Sequence, residues 1–261
     1  MSDFMTILTI AGAAALASPA GGLMALWLNP TTLFMSVTLG FASGVLLGTI
    51  CFSMMPEALQ LASLASSVGG FISGFLAMYV FDLFIHRGKL AGNSAEQHPQ
   101  VVRFYQRRKP RGSEVSVLAG GTSAEELIEG LSIGIGAAIK PGLGILVALA
   151  ILIDNLAESL SIGELIRSED DKEGRSEVLR ILGWTGLIGA ALLSSALIGW
   201  FFLQGLSKQI LGFLFGAGGG GMFYLTVTDL IPQAEERHYQ QSSALAIASG
   251  FILIFLVSQF V

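Results

Sequence analysis

Long apolar blocks of similar length recur along the chain and are separated by short polar stretches. Each block has about 20 residues or more, the length that an α-helix needs to cross a hydrocarbon core of roughly 30 Å. We place predicted spans at about residues 4–27, 33–55, 67–86, 115–139, 142–166, 181–203, 207–233 and 241–260. The pattern predicts an all-α membrane protein with eight transmembrane helices, in one transmembrane domain over residues 1–261.

Composition supports this interpretation because the charged residues are both few and segregated. They make up 13% of the chain, and 52% of the residues are hydrophobic, whereas a soluble domain has about 25% charged residues. Most charges fall within residues 87–114 and 167–180. The polar segment over about 87–113 is predicted to be a long loop between the third and fourth spans.

The basic residues predict the orientation, because cytoplasmic loops are enriched in Lys and Arg. With eight spans, Lys140 and Lys208 fall on one side and twelve basic residues fall on the other. The twelve are Arg87, Lys89, Arg103, Arg107, Arg108, Lys109, Arg111, Arg167, Lys172, Arg175, Arg180 and Arg237. We therefore expect a cytoplasmic loop at 87–113 and non-cytoplasmic termini. Topology accounts for the basic loop, and with a net charge of -5 we expect no nucleic-acid partner.

The fourth and fifth spans contain an internal repeat that carries carboxylates. When Glu125 is aligned with Asp154, residues 125–134 overlay residues 154–163, with six of ten positions identical. Many transporters are built from internal repeats, with their sites near the repeat interface.

The repeated carboxylates predict a cation site. Residues three or four positions apart share a helix face, and a charge at the bilayer centre costs at least about 2.5–3.5 kcal/mol. Five carboxylates should therefore face each other rather than lipid, with their repulsion relieved by protons or by a cation. A protonated cluster that only holds helices together is the simpler alternative. We favour a divalent metal, with these candidate ligands: Glu125, Glu126, Glu129, Asp154, Asn155 and Glu158.

A second, weaker repeat relates the second and seventh spans. Pro56 follows Gly44 by twelve positions, and Pro232 follows Gly220 by the same distance. Since these spans run in opposite directions, the repeat would be inverted, and each proline should end or kink its span. Simple close packing of helices at glycine is the alternative explanation.

Around the first repeat the chain resembles the ZIP (Zrt-, Irt-like) family of divalent metal transporters, nearest its prokaryotic GufA-like branch. The fourth and fifth spans of that family carry a pattern close to His-Asn-x-Pro-Glu-Gly. Here Glu129-Gly130 and Glu158-Ser159 occupy the Glu-Gly places, and Asn155 matches the Asn of the fifth span. The sequences around the two prolines of the second and seventh spans are also similar to the family.

The resemblance implies transport of a divalent cation, zinc or iron, across the inner or plasma membrane toward the cytoplasm. It also implies a homodimer in the lipid bilayer. Within each subunit, spans one, four, five and six would move against spans two, three, seven and eight. The metal would be the substrate, and no prosthetic group is expected.

Several positions depart from the family pattern. Glu125 and Asp154 stand in place of the two histidines, Glu126 replaces the fourth-span Asn, and Ile128 and Ala157 replace the prolines. Imidazole suits zinc, whereas oxygen ligands suit harder ions, so the residues themselves favour manganese or iron.

The sixth span also departs, because residues 181–202 carry no charge. Some family members use a carboxylate there for a second, bridged metal. The sequence leaves open which metal is carried and whether one or two metals bind.

Two other functions remain as alternatives to a carrier. A non-transporting metal sensor or scaffold could use the same carboxylates. An intramembrane metalloenzyme could use a metal to activate water, but the chain has no His-Glu-x-x-His or Gly-x-Ser-x-Gly motif, so we do not expect an enzyme. It also lacks a Gly-x-x-x-x-Gly-Lys-Ser/Thr motif, so ATP should not drive transport directly.

Overall fold

The computed structural model describes residues 2–28, 30–85, 114–168, 176–203, 205–235 and 239–260. Within these ranges the chain forms eight long helices and no strand. They are α1 (Ser2–Leu28), α2 (Thr32–Leu61), α3 (Leu64–Ile85), α4 (Glu114–Ile139), α5 (Pro141–Ser168), α6 (Glu177–Leu203), α7 (Lys208–Glu235) and α8 (Gln240–Ser258). The predicted eight-helix fold is confirmed. The predicted cytoplasmic loop at 87–113 lies outside the described residues, and the orientation stays a prediction.

Seven of the eight helices in the described chain are long and apolar enough to cross a membrane. The exception is α4, whose hydropathy is lowered by Glu125, Glu126 and Glu129. It packs against α5, α6 and α7, so its carboxylates can be sheltered by the other helices.

The outward faces of the helices carry large apolar side chains. Leu16, Phe202 and Leu245 are each at least 68% exposed. Exposed apolar surface on this scale is unfavourable in water and favourable against lipid. It therefore agrees with an integral, multi-pass membrane protein.

Both prolines of the second repeat lie inside continuous helices rather than at their ends. A π turn precedes each of them, at Ile50–Met54 in α2 and at Thr226–Leu230 in α7. Proline would clash with the carbonyl four residues earlier in a regular α-helix, and the wider π turn accommodates it. The prediction that the second span ends near residue 55 is therefore wrong, because α2 continues to Leu61.

The helices pack as two bundles. One contains α1, α4, α5 and α6, with α1 against α5 and α4 against α6. The other contains α2, α3, α7 and α8, with α2 against α8 and α3 against α7. The bundles meet where α2 contacts α5 and α4 contacts α7. This division agrees with the one that the family resemblance implies, and movement between the bundles stays a prediction.

Glycine contacts repeat between the two halves of the second bundle. A Cβ at Gly44 in α2 would collide with the backbone oxygen of Ile247 in α8, and one at Gly220 in α7 would collide with that of Phe71 in α3. The alignment that pairs Gly44 with Gly220 also pairs Phe71 with Ile247. These glycines allow close helix approach, at equivalent positions of the second repeat.

An ion pair joins the two bundles at the turn between α4 and α5. The Lys140 Nζ atom lies 2.8 Å from Glu57 Oε2 in α2. The Glu57 side chain is 10% exposed and the Lys140 side chain 52%. This contact is at the end of α4 that the basic residues predict to lie outside the cytoplasm.

Candidate metal-binding site

The repeated motifs of α4 and α5 face each other in the interior, as the helix periodicity predicts. Glu126, Glu129, Asp154 and Glu158 are all at most 6% exposed. Glu125 is half-buried. Lys140 separates the two helices, so α5 folds back along α4 and the two acidic faces can meet.

A third helix completes the site. One carboxylate oxygen from each of Glu125, Glu158 and Asp229 lies within 4.8 Å of the other two. With that spacing, an ion placed between the three oxygens would be no more than about 2.8 Å from each of them. Hard divalent cations bind oxygen at roughly 2.0–2.6 Å. A small inward movement of the side chains would therefore suffice to coordinate one ion.

These side chains line a cleft between the two bundles. Its walls consist mainly of carboxylates, with two leucines from α7: Glu125, Glu126, Glu129, Asp154, Glu158, Leu225, Asp229 and Leu230. Carboxylate oxygens are typical ligands of manganese, magnesium and calcium and are also found at zinc sites.

Asp229 is not among the ligands that the sequence predicts. In the sequence it belongs to the second repeat, where the alignment of Gly44 with Gly220 pairs it with Ser53. An acidic residue within a predicted span is itself an indication of function, and that observation would have pointed to Asp229. The π turn Thr226–Leu230 contains this residue, and π turns frequently occur at functional sites.

Neutral side chains donate hydrogen bonds to two of the three clustered carboxylates. The Thr122 hydroxyl donates to Glu158 Oε1 at 2.8 Å. The Gln233 amide donates to Asp229 Oδ1 at 2.6 Å, one turn along α7. Each bond orients a carboxylate without bringing a positive charge that would compete with a cation.

On the facing motifs of α4 and α5, three buried oxygens have no hydrogen-bond partner within the described chain. They are Glu129 Oε2, Asp154 Oδ1 and Asn155 Oδ1. The Asn155 amide donates at 3.4 Å to both Glu126 and the Ala14 carbonyl. Buried oxygens are normally paired, and acceptors without donors are suited to a cation or to added protons.

The outcome for the predicted ligands differs from residue to residue. Glu125 and Glu158 belong to the three-carboxylate cluster. Glu126, Glu129 and Asp154 line the same cleft outside that cluster, and Asn155 contacts Glu126. Their assignment as metal ligands stays a prediction.

The fold and the site together define an integral, multi-pass α-helical membrane protein with a carboxylate-lined cleft between two bundles. No family model matches the chain. The chain is similar to the "Zinc transporter ZupT" of Escherichia coli (strain K12 / DH10B), with 26% identity over 85% of this chain and 83% of that protein. The "Zinc transporter ZupT" of Salmonella heidelberg (strain SL476) is 25% identical over 87% of this chain and 85% of its own length.

These relatives confirm the resemblance to the ZIP family that the motifs predict. The alignments extend over most of both chains, so the similarity is not confined to the acidic repeat. The assignment to the GufA-like branch stays a prediction.

Proposed function

We propose that the chain transports a divalent metal cation across the membrane, through the cleft that holds Glu125, Glu158 and Asp229. The observation that carries the proposal is the convergence of these three carboxylates from α4, α5 and α7 inside a membrane protein. Relatives that cover most of the chain are named as zinc transporters, which supports a carrier and disfavours an enzyme.

Electrostatics explains why such a cluster would bind a cation. Two ionised carboxylates 4.8 Å apart repel each other by about 3.5 kcal/mol at an effective dielectric constant of about 20. A divalent ion replaces this repulsion with attraction to every ligand. Protons can relieve the same repulsion, so protons and metal should compete for the site.

The finer parts of the proposal concern the metal and its route. The candidate substrates are zinc, iron and manganese, and the metal is substrate rather than a resident cofactor. The proposed route leads toward the cytoplasm across the inner or plasma membrane. A homodimer with non-cytoplasmic termini is part of the same proposal.

The shape of the cleft supports a conformation that is open toward the predicted cytoplasmic side. Glu125 and Asp229 are half-buried. Glu125 lies one turn nearer the start of α4 than the buried Glu129, and Asp229 lies near the end of α7. In the opposite direction, a Cβ at Gly218 of α7 would meet Ser132 of α4 and Met54 of α2. This close packing closes the cleft toward the Lys140 turn.

Metal uptake into proteoliposomes tests the proposal. The purified protein should accumulate zinc, manganese or iron(II), and Glu129→Ala and Glu158→Ala should each abolish uptake without preventing membrane insertion. Glu177→Gln, an exposed charge change at the start of α6, is the matched control and should leave uptake intact. Wild-type rates in both alanine variants would refute the site assignment.

A binding measurement on the same protein separates a carrier from the alternative sensor or scaffold. Metal binding without uptake would favour the non-transporting alternative, since the site would then hold the ion without moving it.

Orientation needs an independent test. A cysteine introduced at Ser94 in a Cys51→Ala background should resist labelling by a membrane-impermeant reagent added to intact cells. Permeabilised cells provide the positive control. Efficient labelling of intact cells would invert the proposed topology.

A further inference from the structure

The two halves of the acidic repeat differ at one buried position beside the site. Thr122 lies on α4, and the alignment that relates the two motifs pairs it with Ile151 on α5. Both are buried. Thr122 donates its hydroxyl hydrogen to Glu158 Oε1 at 2.8 Å, whereas Glu129 Oε2, on the equivalent glutamate of α4, has no partner in the described chain. An isoleucine cannot supply the missing donor.

The Thr122 bond is also unusual among the buried threonines of the described chain. Thr49, Thr185 and Thr226 each donate to the carbonyl four residues earlier in their own helix. Thr122 donates to a different helix, and its acceptor is one of the three clustered carboxylates. A buried threonine hydroxyl can find its acceptor within its own helix. The bond from Thr122 to another helix therefore indicates a role beyond satisfying the hydroxyl.

We infer that Thr122 is a positioning residue, which holds the Glu158 carboxylate in a fixed direction for the transported cation. The inference rests on the proposed function. The terminal torsion of a glutamate is broad, so an unrestrained carboxylate turns readily. With Oε1 held by Thr122, the whole carboxylate keeps a defined direction beside Glu125 and Asp229.

This restraint makes the two glutamates of the repeat unequal. Glu158 is oriented before a cation arrives, while Glu129 is free to adjust when one binds. Rigid oxygen ligands discriminate between ions by size, and flexible ones adapt to larger ions. Thr122 therefore sets both the affinity of the site and its preference for a small cation such as Mn²⁺ over the larger Cd²⁺.

The test replaces Thr122 by Val, which keeps the shape and removes the hydroxyl, and by Ser, which keeps the hydroxyl. A hydrogen bond to a charged group contributes roughly a factor of ten or more, so Thr122→Val should raise the KM for Mn²⁺ uptake about tenfold, with little change in maximal rate. The preference for Mn²⁺ over Cd²⁺ should narrow. Thr122→Ser should restore both values.

A matched control and a second background make the inference specific. Thr49→Val removes a buried hydroxyl that serves only its own helix and should change neither the KM nor the ion preference. Mn²⁺ binding to purified Glu158→Gln protein should not weaken further when Thr122→Val is added, because the threonine acts through the Glu158 carboxylate. If Thr122→Val does not reach the membrane, Thr122→Ala takes its place in every comparison.

Three results would overturn the inference. The first is an unchanged KM for Mn²⁺ in Thr122→Val when the wild-type protein transports metal. The second is an increase in KM in Thr122→Ser as large as that in Thr122→Val. The third is weaker Mn²⁺ binding when Thr122→Val is added to Glu158→Gln. A wild-type protein that binds Mn²⁺ but does not transport it would instead refute the proposed function. The binding comparison between the Val and Ser variants would still decide the role of Thr122.

Discussion

Asp229→Asn is the most informative single change in the proposed site. It keeps the size of the side chain and an oxygen that can accept the Gln233 hydrogen bond, but it removes the negative charge. Any effect on transport therefore reports the charge at this position rather than the packing of α7.

The spacing of the cluster gives the expected magnitude. A divalent ion about 2.8 Å from the Asp229 oxygen would be attracted by about 12 kcal/mol at an effective dielectric constant of about 20. Asp229 also repels the two glutamates, each by about 3.5 kcal/mol at 4.8 Å. The net attraction of about 5 kcal/mol is an upper limit, because ion and carboxylate both lose hydration on binding.

If hydration reduces the contribution of Asp229 to about 1–2 kcal/mol, its loss still weakens metal affinity roughly 5- to 30-fold. We therefore expect Asp229→Asn to raise the KM for Mn²⁺ or Zn²⁺ uptake roughly 5- to 30-fold. Initial uptake rates in proteoliposomes over a range of metal concentrations measure this value. A calorimetric titration of the purified variant should show a parallel loss of affinity.

Asp82→Asn is the matched control for this measurement. Asp82 is a buried aspartate of α3 that accepts a hydrogen bond from Tyr224 at 2.6 Å, and it is not part of the three-carboxylate cluster. Its substitution should leave the KM unchanged even if it lowers thermal stability. Equal KM values for Asp229→Asn and wild type would refute the proposed role of Asp229 as a ligand.

Two further predictions concern selectivity and packing. The double change Glu125→His with Asp154→His should shift preference toward zinc in competition with manganese, iron(II) and cadmium, because imidazole is a better donor for zinc than for harder ions; an unaltered order would show that these positions do not set selectivity. Gly74→Ala should lower the melting temperature in detergent, because its Cβ would collide with the backbone oxygen of Ala217 and overpacking costs about 1–3 kcal/mol. Gly69→Ala, in the same helix with open space around it, should instead stabilise by up to about 1 kcal/mol through helix propensity, and a decrease in both variants would contradict the contact argument.

The sequence determined the helices because the length of an apolar block is a local property. Each of the eight predicted spans corresponds to a helix of the described chain. The sequence also predicted the acidic faces. Helix periodicity alone places Glu125 and Glu129 on one face of α4, and Asp154 and Glu158 on one face of α5. Separation of the carboxylates from lipid followed from the cost of a charge in the membrane.

Only the tertiary structure decided which carboxylates meet. Asp229 lies two helices beyond Glu158 in the chain and joins the cluster because α7 packs against α4, a contact that no local pattern encodes. Thr122 was overlooked for the same reason, because a threonine within a span normally bonds to its own helix. The π turn before Pro232 also depends on the tertiary structure. From the sequence alone, a proline is compatible with either a kinked helix or the end of a helix. Local pattern thus determined what each helix contains, and packing between distant segments determined which of those groups form the site.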